Sequence, residues 1–345
     1  MSTVSIQKIR VLVVDDSLVA REGIRRGISS DRRIEVIGMA GDAYEAVDLI
    51  NELEPDVITL DVNMPRMNGL EFLRRLMAQH PMPVVVISSS ENRVLEALEA
   101  GAVDFVAKPR GTSTTDMDTF IREIVRKIKI AATSRPDTSG PEKLLQSRRA
   151  TGGSRGTQIV AMGASTGGTE ALLRVLRQLP ANMPGIVIVQ HMPPVFTRMY
   201  AERLNNNTQL HVKEAVSGDR ILPGTALLAP GDYQMRVKRT EQGLVVECKY
   251  QEAKVSGHCP SVDVLFDSVA NEVGRNSVGI LLTGMGHDGA RGLLNMRRKG
   301  AMTFGQDEAS SVVYGMPKIA YELGAVATQC ALNDIPGALL SHLFE

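Results

Sequence analysis

The chain has 345 residues, 39 Lys and Arg against 39 Asp and Glu, 43% hydrophobic residues and three cysteines. That length asks for about two domains, and the neutral balance gives no global pull toward nucleic acid or an anionic membrane. Cys248, Cys259 and Cys330 lack metal-ligand or framework spacing, "MSTVSIQKIR" has no apolar signal core, and no apolar run approaches a membrane span. A soluble, cytoplasmic protein is expected.

From residue 9 to about 130, short runs rich in Val and Ile alternate with segments apolar at helical spacing. "IRVLVVDD", "IEVIGMA", "DVITLDV", "PVVVISSS" and "DFVAKP" predict buried strands. "SLVAREGIRRGI", "AYEAVDLINEL", "GLEFLRRLMAQH", "RVLEALEA" and "MDTFIREIVRKIKI" predict helices between and after them. Five βα repeats imply a doubly wound parallel sheet. The segment 131–156 is rich in Ser, Thr, Gly, Pro and charge and reads as a linker; no element is assigned to its "EKLLQ". From 157 the alternation restarts with "QIVAMGAS", a helix, "GIVIVQHM", a helix through "FTRMYAERLNN", then "LHVKEAV" and "TALLAPG". "YQMRVKRTEQGLVVECKY" predicts a β-hairpin about "TEQG". "SVGILLTGMG", the helix of "DGARGLLNMRRKG", "AMTFGQD" and "MPKIAYELG" complete a second, mainly parallel α/β domain over 157–345.

In the first domain, Asp15 and Asp16 close the first strand, Asp61 the third, Ser88 the fourth and Lys108 the fifth. Carboxyl ends of strands near a switch in strand order form the ligand crevice of such a sheet. Three carboxylates gathered there repel one another, and a hard cation such as Mg²⁺ relieves the repulsion. A metal, a hydroxyl and an ammonium around one aspartate suit a transferred phosphoryl group, with Asp61 as the acyl-phosphate nucleophile. Taken singly, each residue reads as well as a solvated loop polar group.

The motifs "VVDDS", "LDVNMPRMNGLEFL", "ISSS" and "DFVAKP" resemble the receiver domain of two-component response regulators, over residues 1–130. The resemblance implies a flavodoxin-like, five-stranded parallel sheet. It implies phosphorylation of Asp61 by a histidine kinase and Mg²⁺ held by Asp16, Asp61 and the Asn63 carbonyl, with Asp15 nearby. Ser88, where many receivers have Thr, and Lys108 would contact the phosphoryl oxygens, and Phe105 would be the switch aromatic.

In the second domain, "GASTGG" (163–168) joins a strand to a helix. One reading is a dinucleotide turn with pyrophosphate on the helix N-terminus, and Tyr314 and Lys318 mimic the Y-x-x-x-K pair of short-chain dehydrogenases. Gly315 and Pro317 oppose a helix that would put Tyr314 and Lys318 on one face. The other reading is G-x-S-x-G, with Ser165 as nucleophile. It needs a base and an orienting acid. Of the histidines, His80 lies in the first domain, His342 near the C-terminus, and His211 begins a strand. His191 ends the strand after the Ser165 unit, so adjacent pairing would set the two side by side. Asp288 opens a helix after a glycine-rich turn, where an N-cap role explains it equally well. The backbone around Gly284, Met285 and Gly286 is placed to aim amides at an oxyanion. His287, Asp263 and Asp307 stay in play as alternatives.

Together "GASTGG", "QHM" and "TGMGHDGARG" resemble the catalytic domain of the chemotaxis protein-glutamate methylesterases (CheB), in that family's domain order. The resemblance implies Ser165 as nucleophile, His191 as general base, Asp288 as orienting acid and the Met285 amide in the oxyanion hole, with no cofactor there. It implies methylated chemoreceptor cytoplasmic domains as substrate, methanol release, glutamine deamidation, and activation by the receiver. No nucleic acid and no membrane insertion are expected. A DNA-binding output, the rival for a receiver protein, would need a helix-turn-helix and a basic face after the linker, and neither is legible.

Overall fold

Two parallel sheets carry the chain, and in each a cluster of buried polar residues gathers at the carboxyl ends of its strands, Asp15, Asp61 and Ser88 in one and Gln190, Thr283 and Gln306 in the other. The computed structural model describes residues 7–64, 68–109, 113–135, 156 and 158–344. Most of the expected linker, and "EKLLQ" within it, lies outside the described residues, as do residues 157 and 345. Two compact units divide the chain, Met1–Gly140 and Pro141–Glu345.

In the first unit, β1 (Ile9–Val14), β2 (Ile34–Ala40), β3 (Val57–Asp61), β4 (Val84–Ser88) and β5 (Asp104–Ala107) form an all-parallel sheet in the order β2-β1-β3-β4-β5. The helices are α1 (Leu18–Ile28), α2 (Ala43–Leu53), α3 (Gly69–Gln79), α4 (Glu91–Glu99) and α5 (Thr114–Ala131). Side chains of Ser17, Asp42, Asn68 and Ser113 accept first-turn amides and start α1, α2, α3 and α5. The strands are near-continuous apolar runs because helices cover both faces of such a sheet. Val11, Leu12, Val57, Ile58, Val84 and Val85 are fully buried.

In the second unit seven parallel strands run in the order β14-β13-β12-β6-β7-β9-β8. In chain order these are β6 (Ile159–Ala164), β7 (Gly185–Gln190), β8 (His211–Glu214) and β9 (Thr225–Leu228), followed by β12 (Ser277–Leu281), β13 (Met302–Gln306) and β14 (Thr328–Cys330). The hairpin β10 (Tyr233–Thr240) and β11 (Gly243–Tyr250) stands apart as a two-stranded antiparallel sheet, closed by the Thr240–Gly243 pair. Of the helices, α6 (Gly168–Arg177) and α7 (Pro194–Asn207) follow β6 and β7. After the hairpin come α8 (Val262–Glu272), α9 (Ala290–Arg298), α10 (Met316–Glu322) and α11 (Ile335–Phe344). The chain winds one way from β6 through β7 and the other way from β12 through β13, so the strand order switches between β6 and β12. That is where a doubly wound sheet opens its crevice.

The fold class expected for both halves holds, and three elements exceed the reading of the sequence: α8, β14 and α11. Helix α8 matters most. Ser261 caps it, and Val262 wedges between two glycines. A Cβ on Gly163 would meet Val262 Cγ1 at 2.2 Å, and one on Gly289, which sits at φ 87°, would meet it at 2.5 Å. Only glycine lets α8 approach β6 this closely. Helix α9 starts from Gly289 with no side-chain cap; Asp288 does not open it as the sequence suggested.

Phe266 of α8 is fully buried in the core shared with Leu293 and Met296 of α9. Phe266→Ala should destabilise the C-terminal unit by about 3–5 kcal/mol. A lower urea midpoint at unchanged m-value for that unit's transition is the expected reading.

Candidate functional site

The end of β6 turns sharply into α6 through Ser165, Thr166 and Gly167. Gly167, at φ 75°, takes the left-handed conformation that this turn requires. The turn is held from three sides. Ser165 N donates to Thr283 O at 3.0 Å, Gly168 N donates to Ser165 O at 2.8 Å, and Gln190 Nε2 donates to the same oxygen at 2.8 Å. Thr283 Oγ1 reaches the Thr166 carbonyl at 3.0 Å and is braced by Gln306, whose Oε1 accepts from Thr283 N. A half-buried hydroxyl thus stands on a fixed backbone at the switch point.

Parallel pairing sets Ala164 opposite Gln190, so His191 emerges beside Ser165. Its Nε2 lies 2.8 Å from Asp288 Oδ2. Its Nδ1 is buried and has no hydrogen-bond partner among the described residues. Ser165 and His191 are adjacent, but no hydrogen bond joins them through that nitrogen. Such bonds often tighten only when substrate is bound.

Asp288 is 1% exposed. Besides His191 it accepts from Ser261 Oγ at 2.7 Å, Val262 N at 2.8 Å and Asp263 N at 3.0 Å. It therefore sits on the N-terminus of α8, a helix other than the one that follows it. Burial works to raise its pKa, but the hydrogen bond and charge of His191, with the Ser261 and Asp263 bonds, bring it down to about 2. The Asp263 carboxyl is pushed the other way, by burial and by Asp288 itself. Asp263 holds Gly292 N and Ser256 Oγ instead of a histidine. Asp307 serves the turn at Ser310, and His287 is exposed.

Gly284 packs on the serine: a Cβ there would lie 2.7 Å from Ser165 Cβ. The backbone of Met285, next in the chain, therefore runs beside Ser165, and its side chain is 46% exposed. Burial pushes the Cys248 thiol up to about 12 and raises Cys259 and Cys330 as well. The dinucleotide alternative loses its second half, because α10 begins at Met316, beyond Tyr314.

In the first unit, carboxylate oxygens of Asp15, Asp16 and Asp61 all lie within 4.8 Å of one another. Asp15 and Asp61 are buried; Asp16 is exposed. Lys108 Nζ spans Asp15 Oδ2 at 2.9 Å and Asp61 Oδ2 at 2.6 Å. Burial opposes the ammonium charge, yet the two aspartates leave the Lys108 pKa raised. Asn63 N donates to Asp61 Oδ1 at 2.9 Å, and Asn63 Nδ2 lies 3.5 Å from Ser88 Oγ. Phe105 is buried on β5 under Lys127, whose Nζ is 5.8 Å from the ring centroid and 2.5 Å from Asp104 Oδ1. Three acidic groups with one ammonium shared by two of them make a donor set suited to a hard dication.

Residues 160–339 match the CheB methylesterase family model. The chain belongs to that family. Residues 11–116 match the response regulator receiver domain. The protein-glutamate methylesterase/protein-glutamine glutaminase 2 of Syntrophomonas wolfei is 56% identical over 337 residues, 97% of each chain. The protein-glutamate methylesterase/protein-glutamine glutaminase of Syntrophotalea carbinolica is 47% identical over 349 residues, 98% of this chain and 99% of that one. Among solved structures, the Thermotoga maritima CheB methylesterase catalytic domain is 34% identical with a TM-score of 0.52. It covers 54% of this chain and 98% of its own. No helix among the described residues is long and apolar enough to cross a membrane.

Reading the sequence missed Gln190 as the clamp on Ser165, Ser261 as a second donor to Asp288, and His258. The His258 ring stacks on His191, centroids 3.7 Å apart and planes within 6°. Ser261 was within reach, as a serine opening an apolar run at helical spacing.

The depressed Asp288 pKa has a stability consequence. A carboxyl held at about 2 in the folded state against an ordinary 3.8 stabilises the fold above pH 4 and loses that contribution as pH falls toward 2. Asp288→Asn should therefore lower stability at neutral pH and flatten the loss between about pH 4 and pH 2. Urea titrations of both proteins across that range check it.

Proposed function

We propose that this chain is a phosphorylation-activated serine hydrolase of the cytoplasm. It would demethylate glutamate γ-methyl esters on chemoreceptor cytoplasmic domains, releasing methanol, and deamidate receptor glutamines. One observation carries the hydrolase reading. A buried imidazole at the strand end beside Ser165 is bound through Nε2 to a buried carboxylate, and its other nitrogen is unpartnered among the described residues. The names borne by the full-length relatives support the substrate.

Asp288, ionised at neutral pH, accepts the Nε2 proton of His191, so Nδ1 carries the lone pair. Ser165 Oγ attacks the γ-carbonyl as its proton passes to Nδ1, and Asp288 stabilises the resulting imidazolium. The Met285 amide receives the oxyanion. Methanol departs with the Nδ1 proton, or ammonia when the substrate is glutamine. Water then gives its proton to Nδ1, attacks the acyl-serine and frees the glutamate carboxyl and the Ser165 hydroxyl. No cofactor enters this scheme. Oxyanion donors of this kind are worth on the order of 100- to 1,000-fold in rate.

Asp61 would accept a phosphoryl group from a chemotaxis histidine kinase. A Mg²⁺ ion held by Asp16, Asp61 and the Asn63 carbonyl, with Asp15 nearby, would offset the negative charge that phosphoryl transfer concentrates there. Lys108, now shared by Asp15 and Asp61, would turn to the phosphoryl oxygens, and Ser88 would donate to them. Phe105 would respond as the switch aromatic. Phosphorylation raises hydrolysis only through its differential interaction with the less and more active states. Neither nucleic acid nor membrane insertion has a role.

Methanol release from methylated receptor membranes tests both halves. With Mg²⁺ and a small phosphoryl donor, wild type should accelerate, Asp61→Asn should keep its basal rate without acceleration, and Ser165→Ala should lose nearly all release. Wild-type release indifferent to the donor would remove the phosphorylation control. Release that survives Ser165→Ala would remove the nucleophile.

A further inference from the structure

The bond from His191 Nε2 to Asp288 fixes the plane of the ring only in part. Nε2 lies nearer than Nδ1 to the Cβ–Cγ axis about which an imidazole turns, so a bond there restrains the ring plane less than one at Nδ1 would. Nδ1 lies farther from that axis and swings more as the plane turns. The torsion itself is broad for a bond between sp³ and sp² carbons. A base that must present Nδ1 to Ser165 needs a further restraint on its plane.

His258 supplies a flat surface at that place. At 3.7 Å and 6° the two imidazoles are in face-to-face van der Waals contact. Any turn of the His191 plane would drive its edge into His258. The loop that carries the second ring is itself firmly held. Val255 and His258 exchange backbone hydrogen bonds at 3.0 and 2.9 Å, closing a tight turn. Ser256, inside that turn, donates to Asp263 Oδ2 at 3.1 Å. Fully buried Gln234 donates to His258 O at 3.1 Å and accepts from Ser261 N at 2.9 Å. Ser261 and Asp263 are both donors to Asp288. One carboxylate thus anchors the base directly and, through the start of α8, the loop that stacks on it.

We infer that His258 is a positioning residue: its ring, stacked on His191, fixes the plane of the base and with it the direction of Nδ1. This rests on His191 being the base. The flat face does the work, so another flat side chain should replace it. A misplaced base of this kind costs rate more than binding, with about 10- to 100-fold the expected range for a shift of up to an ångström.

The test measures kcat and KM for methanol release by the full-length chain on methylated receptor membranes, with Mg²⁺ and a small phosphoryl donor. His258→Leu fills the space without a flat face, and His258→Phe restores one. The inference expects Leu to lower kcat about 10- to 100-fold with KM little changed, and Phe to recover most of the lost rate, at closely matched Tm. Wild-type kcat in His258→Leu overturns it, and so does a Phe variant as slow as the Leu variant. Should the Leu variant not fold, the Phe variant decides alone: a rate near wild type sustains the inference and a tenfold loss ends it. Ser165→Ala and His191→Ala run alongside. If they retain release, the reading of the base fails; if they lose it while His258→Leu does not, only the stacking inference fails.

Discussion

The Asp288 carboxylate is the point on which the second unit turns. It is shut away from water, where an uncompensated charge would cost many kcal/mol. Four donors offset that cost: an imidazole, a hydroxyl and two backbone amides. Because two of them are first-turn amides of α8, the partly positive end of that helix also favours the charge. The same four bonds join the loop after β12 to the side chain that ends β7 and to α8, which seats on β6 through the Gly163 notch. A single anion therefore ties together the strands and the helix that converge on the switch point.

The first unit solves a related problem with a different counter-charge. Buried Asp15 and Asp61 share the Lys108 ammonium, which arrives from the end of a strand two places away from β3. Asp16 adds a further carboxylate to the group. In the second unit donors surround the carboxylate and fix it; in the first, negative charge exceeds the single ammonium that bridges it. The first arrangement suits orientation of a neighbouring base, and the second suits capture of a cation and transfer of an anionic group.

Much of this was legible in the chain. Strands of Val and Ile followed by periodic helices announce parallel sheets, and adjacency of β6 and β7 brings His191 beside Ser165 by backbone pairing alone. The partner of Asp288 was harder. Sequence places it one residue before Gly289 and a helix, which reads as a cap for that helix; only the tertiary packing of α8 gives it another helix to cap. His258 carries no local signal. Its ring meets His191 because Gln234 and Asp263, both distant in sequence from His191, hold its loop in place. The antiparallel hairpin was readable from its polar turn, whereas three-residue β14 is too short to show a period.

The central claim is that Ser165 is made nucleophilic by the His191–Asp288 pair. The most direct measurement is intact and peptide mass spectrometry after exposure to a serine-directed fluorophosphonate. The account predicts one adduct per chain, on the peptide containing Gly163–Gly168 and at Ser165, forming much more slowly in His191→Gln. An adduct at another serine, or equal labelling of Ser165 in the His191→Gln protein, would contradict it.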